Sequence, residues 1–219
     1  MTNVYVHPTA LVETTKIGSG TRVWAFTHVT SGATVGSNCN IGGQCFIEAG
    51  ATIGDNVTVK NGNSIWAGIA IGDGVFIGPQ VVFTNDLRPR SPRLAYASDR
   101  YSEQSWLSRT VIKEGVSIGA GAVILPGVTL NKFCMIAAGA IVTKDVPAHA
   151  LAMGGPARIT GWVCYCGQKL NEEDATAWCK QCSAKFERTD REIRALSSAA
   201  ATQPLAAVVA TAPLSFVAP

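Results

Sequence analysis

A period of six residues constrains this chain more than any other feature. Aliphatic or aromatic side chains fall at Leu11, Ile17, Val23, Val29, Val35, Ile41, Ile47, Ile53, Val59, Ile65, Ile71, Ile77 and Phe83. After an interruption the period resumes at Ile112, Ile118, Ile124, Leu130, Ile136 and Val142. Four residues beyond these positions comes a compact side chain, among them Ala33, Cys39, Cys45, Ala51, Val57, Val75, Ala122, Cys134 and Ala140. A helix would return its apolar face every three to four residues. A repeat of six is the mark of a parallel β-helix, each repeat being one short strand and a turn.

One hexapeptide cannot bury its apolar side alone, so the repeats must stack. Stacked coils place equivalent residues about 4.8 Å apart and pair their backbones as parallel sheets. The large aliphatic fills the interior and the compact residue fills the corner. Cys39, Cys45 and Cys134 hold the compact position and read as small core hydrophobes. Asn63 holds an inward corner, where its amide must be hydrogen-bonded.

The bounds are simple. A chain of 219 residues supports one sizeable core and a small appendage. A net charge of +3 gives no strong reason to expect nucleic acid or a membrane surface as partner. No run reaches the roughly 18 apolar residues of a membrane span, and the opening Met1–Pro8 is too short and polar for a signal peptide. Core thiols plus four cysteines spaced to bind a metal point to a reducing compartment, so a cytoplasmic protein is expected.

The repeat breaks once. The aliphatic position after Phe83 is due at 89 and arrives at Ile112, an insertion of 23 residues within 84–109. This insert carries Arg88, Arg90, Arg93, Arg100 and Arg109, half of the ten arginines, together with Tyr96, Tyr101 and Trp106. So long a loop in a compact domain is usually functional or disordered, and the aromatics argue against disorder. It reads as a substrate-binding element, an arm clasping a neighbouring subunit, or both.

The repeat domain is expected over 1–160 and closes on "KDVPAHALAMGGPAR" (Lys144–Arg158). Over 161–188, Cys164 and Cys166 are separated by twelve residues from Cys179 and Cys182. Two thiolate pairs of this kind supply a tetrahedral structural zinc site of zinc-ribbon type. Residues 189–219 are expected to form a short helix, "TDREIRAL" capped by Thr189, and a disordered Ala- and Pro-rich tail.

Four features taken together, "VWAFTHV" (Val23–Val29), "VFTND" (Val82–Asp86), "RPRS" (Arg88–Ser91) and "GGPAR" (Gly154–Arg158), resemble the bacterial nucleotide-amino-sugar N-acetyltransferases. That group includes enzymes acting on the 3-amino group of a UDP-linked uronate. The resemblance implies a left-handed β-helix, a homotrimer, and transfer of acetyl from acetyl-CoA to an amino sugar linked to UDP or dTDP, for surface polysaccharide. It also implies site residues. Asn85 matches the asparagine of the "FTN" motif and would orient the amine, and Asp86 is the nearest carboxylate to accept a proton. Arg90, with Arg88 and Arg93, would meet the pyrophosphate, which a guanidinium fork suits. CoA would run past Ala120 and Ala138, its phosphates toward Lys144 and Arg158. In these enzymes the closing segment commonly has asparagine where Gly155 stands.

His28 is the tempting base, but stepping by eighteen residues places it three coils, about 14 Å, from Asn85. It reads instead as a substrate contact. An O-acetyltransferase would need a histidine near the insert, and a γ-type carbonic anhydrase three convergent histidines. His7, His28 and His149 do not share a register. A non-catalytic scaffold leaves the arginine-rich insert without a purpose.

Overall fold

The computed structural model describes residues 3–189 and 192–196. The hexapeptides fold as short strands joined by turns, and every third strand pairs in parallel, which winds the chain into a three-sided β-helix. The first face stacks Tyr5–Val6, Arg22–Val23, Asn40–Ile41, Thr58–Val59, Phe76–Ile77, Ser117–Ile118, Met135–Ile136 and Ala150–Met153. The second stacks Leu11–Val12, His28–Val29, Phe46–Ile47 and Ser64–Ile65, continued by Val82–Phe83, Val123–Ile124 and Ile141–Val142. The third runs through Thr34–Val35, Thr52–Ile53, Ile69–Ile71, Thr110–Ile112 and Thr129–Leu130. Alternate strand residues face opposite ways, so Ile41, Ile77, Ile118 and Ile136 from the first face meet Ile47, Ile65 and Ile124 from the second in one buried core.

The first coil corrects the periodic reading. Leu11 pairs with His28 and is 53% exposed, while Val12 pairs with Val29 and packs on the core. This coil is one residue shorter than the later ones, and a one-residue slip exchanges the inward and outward side chains.

Corner residues behave as their chemistry requires. The Cys39 thiol donates to the Gly54 carbonyl at 3.1 Å and that of Cys45 to the Lys60 carbonyl at 3.3 Å. Burial pushes their pKa values up, and that of Cys134 to about 12, so all three stay protonated. Asn63 Nδ2 donates to the carbonyls of Lys60 and Gly78, and its Oδ1 accepts the Val81 N–H at 2.9 Å. The corner joining the third face to the first holds one residue at positive φ in successive coils. Gly20, Asn38, Asn56, Gly74 and Gly115 fill it, then Phe133 and His149. Bulky residues adopt that conformation at a cost, and here their rings gain something in return. Phe133 and His149 stack at 5.4 Å, and Tyr165 and Phe186 pack edge-on against the buried His149.

That aromatic cluster fastens the C-terminal module to the β-helix. The strand Arg158–Trp162 pairs antiparallel with Ala150–Met153, so the β-helix sheet continues past residue 160. A four-stranded antiparallel sheet follows: Asn171–Glu173, Thr176–Trp178, Lys185–Arg188 and Ile193–Ala195. The helix expected over "TDREIRAL" is therefore wrong. Ile193–Ala195 is a strand paired with Lys185–Arg188, with Ile193 buried and Arg194 exposed. Thr189 caps no helix; its Oγ1 accepts the Glu192 N–H at 3.2 Å. Alternating burial against a waiting sheet edge overrode the local helical preference. The tail expected over 197–219 lies outside the described residues.

Phe186 is fully buried at this junction. Phe186→Ala should cost the module about 3–5 kcal/mol while leaving the coils folded. Limited proteolysis should then release residues beyond Trp162, with the β-sheet circular dichroism of the coils retained.

Candidate active site

The insert opens where the chain leaves the second face, after Val82–Phe83. Across it, Val82 pairs with Val123 and Ile69–Ile71 with Thr110–Ile112, so the ladder closes as if the loop were absent. The excursion is ordered by its own contacts. It contains a short helix, Ser98–Ser102, and a 3-10 turn, Gln104–Trp106. Asp86 bridges to Leu107, and the Ser108 N–H donates to the Asn85 carbonyl at 2.9 Å, which pins the two ends together.

Asn85 is half-buried at the root of the insert, where its Nδ2 donates to the Ala67 carbonyl at 3.2 Å. Ala67 is itself held by Glu48, whose Oε2 accepts the Ala67 N–H at 2.8 Å. The amide is thus anchored by the coil below.

Asp86 is placed differently from a free acceptor. Its carboxylate takes both Nη groups of Arg100, the Tyr101 hydroxyl at 2.8 Å and the Arg88 N–H at 2.8 Å, and its side chain is 11% exposed. The hydrogen-bonded Arg100 guanidinium outweighs the cost of burial and, with those donors, holds the carboxyl at about 2. A carboxylate so committed is a poor proton acceptor near neutrality. Sequence reasoning missed Arg100 and Tyr101, because a contact across fourteen or fifteen residues of irregular loop has no periodicity to reveal it.

Arg88, Arg90, Arg93 and Arg109 are exposed, and none makes an ion pair among the described residues. His28 lies three strands below Val82, through Phe46 and Ser64. Its Nε2 is 3.5 Å from Glu13 Oε1. An aromatic ladder climbs from His28 to Phe46 and then to Trp66, whose Nε1–H donates to the Phe83 carbonyl at 3.0 Å.

The residues expected along CoA divide between two corners. Ala120 and Ala138 are exposed and stacked where the first face meets the second, with the Gly139 N–H donating to the Ala120 carbonyl at 2.9 Å. A Cβ on Gly119 would lie 2.4 Å from Ala138 N, so only glycine permits this approach. The closing turn caps the same corner through Gly154 and Ala157, both bonded to Ile141, and the exposed Arg158 follows. Lys144 is exposed after Ile141–Val142, at the corner where Asn85 stands two coils below. Within one chain, Asn85 and the Ala120–Ala138 column therefore sit on opposite edges of the second face.

In the C-terminal module the Sγ atoms of Cys164, Cys166, Cys179 and Cys182 all lie within 4.8 Å of one another. Cys164 and Cys182 are 3.3 Å apart and Cys166 and Cys179 3.5 Å. Four thiolates around one ion at about 2.3 Å would span edges of about 3.8 Å, so the cluster is near that size. Burial opposes ionisation of Cys179, but N–H donors at Cys182 and Gln181 bring its pKa to about 7.

The profile of the bacterial transferase hexapeptide (six repeats) matches residues 14–49, 50–85 and 109–144, skipping the insert. The dTDP-3-amino-3,6-dideoxy-alpha-D-galactopyranose 3-N-acetyltransferase of Aneurinibacillus thermoaerophilus is 50% identical over 186 residues, 85% of this chain and 92% of that protein. The galactoside O-acetyltransferase of Lactococcus lactis is 35% identical over 100 residues, 46% of this chain and 42% of that one. Among solved structures, the acetyltransferase domain of PglB from Neisseria gonorrhoeae aligns at 20% identity and a TM-score of 0.49, over 72% of this chain and 58% of that one. The chain belongs to the hexapeptide-repeat transferases, in the group of nucleotide-amino-sugar N-acetyltransferases.

The Asp86 pairing carries a pH signature. A depressed carboxylate pKa contributes stability above the unfolded value, near 4, that is lost as pH falls toward 2. The stability gap between the wild type and Asp86→Asn should be constant above about pH 5 and close in strongly acidic solution. Denaturant titrations across that range measure it.

Proposed function

We propose that this protein transfers the acetyl group of acetyl-CoA to the amino group of a nucleotide-linked amino sugar, and that a dTDP-linked 3-amino-deoxyhexose is the first acceptor to test. The observation that carries this is Asn85, anchored to the Ala67 carbonyl at the root of an insert whose Arg88 and Arg90 are exposed and form no ion pair among the described residues. Its Nδ2 is committed to the chain, which leaves Oδ1 to accept an N–H of the sugar amine and aim the nitrogen lone pair. The neutral amine attacks the thioester carbon, the C–N bond forms, the C–S bond breaks to release CoA as its thiolate, and the nitrogen proton passes through solvent, which can return it to that thiolate. A sugar amine loses its proton near neutrality, so orientation contributes more than a strong base. A hydroxyl acceptor would need the base that His28, three strands away, does not supply.

We further assign a homotrimer. Asn85 and the Ala120–Ala138 column lie on opposite edges of one face, and a neighbouring prism packed on that face brings one edge of each chain together. Cys164, Cys166, Cys179 and Cys182 would hold one structural zinc, whose saturated ligand set leaves no position for catalysis. Such thiols, with the three core cysteines, fit the cytoplasm. Among the described residues no helix is long and apolar enough to cross a membrane.

Asn85→Ala should lower kcat roughly 100-fold, with little change in KM. Arg90→Ala should raise KM for the nucleotide sugar roughly tenfold, and His28→Ala should cost less turnover than Asn85→Ala. Steady-state kinetics with thiol detection, on variants shown to be trimers by light scattering, tests all three. Loss of turnover in His28→Ala with Asn85→Ala near normal would sink this mechanism.

The zinc assignment is checked by elemental analysis. One zinc per chain is expected, and its removal should loosen the C-terminal module while acetyl transfer persists. A chain purified without chelator that holds no zinc would refute it.

A further inference from the structure

Asp86, Arg100 and Tyr101 form a closed set of contacts that the β-helix does not require. Every contact runs within the insert, and together they fix the backbone on both sides of Pro89. Asp86 Oδ1 accepts the Arg88 N–H at 2.8 Å, and Arg100 Nη1 donates to the Arg88 carbonyl at 2.6 Å. The Tyr101 hydroxyl donates to Asp86 Oδ2 at 2.8 Å and accepts the Arg90 N–H at 2.9 Å. The N–H and carbonyl of Arg88 and the N–H of Arg90 are thus all held by one ion pair and one phenol.

The side chains of Arg88 and Arg90 stay outside this set. Both are exposed, and Arg90 reaches only the Pro89 carbonyl, at 2.9 Å. Charge is sorted accordingly. Arg100 neutralises Asp86, a carboxylate that would otherwise repel a diphosphate, and the neighbouring Arg88 and Arg90 guanidiniums form no ion pair among the described residues. A binding group on a pinned backbone loses less entropy on meeting its ligand than one on a free loop.

We propose that Arg100 and Tyr101 are positioning residues for the nucleotide sugar: with Asp86 they latch the insert so that Arg88 and Arg90 present their guanidiniums to the diphosphate beside Asn85, and Asp86 takes no proton from the amine. This rests on the acetyl-transfer reading above for its substrate. It predicts that the latch acts on binding rather than on the chemical step.

Tyr101→Phe is the cleanest probe, because it removes one oxygen and keeps the ring against Trp106, 5.6 Å away. In the full chain it should raise KM for the nucleotide sugar and weaken calorimetric binding of dTDP alone, each roughly tenfold. The value of kcat should hold within about threefold, with KM for acetyl-CoA and the pH profile of kcat unchanged. Arg100→Ala should weaken dTDP more, with Arg100→Lys in between, since an ammonium keeps the charge but loses the fork. Trypsin should cut faster after Arg90 and Arg93 in all three variants.

Two outcomes overturn the proposal. If Asp86→Asn loses kcat roughly 100-fold or more and keeps wild-type dTDP affinity, Asp86 is the proton acceptor. If the insert becomes trypsin-sensitive while dTDP binding is unchanged, the latch serves folding alone. A wild-type chain that binds dTDP but acetylates no nucleotide amino sugar would defeat the acetyl-transfer reading, and the dTDP affinities of the variants would still decide the latch.

Discussion

The parallel backbone ladder between successive coils is the constraint on which everything else depends. Each coil is too small to bury its own aliphatic residues, so Ile47, Ile65, Phe83 and Ile124 are buried only because a coil lies above and below. The ladder tolerates the 84–109 excursion because the chain returns in register. Ile69–Ile71 accepts Thr110–Ile112 as readily as Thr52–Ile53. The candidate site lies where that tolerance is used, at the root of a loop carried by a rigid prism.

Register also holds Asn85 and the Ala120–Ala138 corner apart within one chain. A prism holds its corners apart, and the width of the second face separates Ala120 and Ala138 from Asn85. The same rigidity keeps His28 three strands below the insert. A fold that cannot close on a ligand by bending is well suited to forming its sites between subunits, where the second wall is another copy of the same rigid surface.

The C-terminal module is joined by a different kind of contact. Rings of Phe133, His149, Tyr165 and Phe186 meet at the last positive-φ corner. Burial lowers the His149 pKa, against the opposing effect of its contact with the Val163 carbonyl, and so favours the neutral ring. Tyr165 stands between Cys164 and Cys166, so the cysteine cluster and the aromatic junction share one turn of chain.

The sequence by itself determined the β-helix, its break after Phe83 and the convergence of four cysteines, because each is written as a spacing and spacing survives without coordinates. It misassigned Leu11, where a coil one residue short moved Val12 inward, and the "TDREIRAL" segment, where a sheet edge mattered more than local propensity. Only the tertiary structure decided what Asp86 contacts. Read in sequence it is a carboxylate beside an asparagine in a recognisable motif. Folded, it is closed off by Arg100 and Tyr101 from the far side of an irregular loop. The physical reason is general to this fold. Regular coils convert sequence distance into spatial distance by a fixed rule, so their contacts can be counted off in eighteens. A loop follows no such rule, and its pairings are fixed by packing and charge alone.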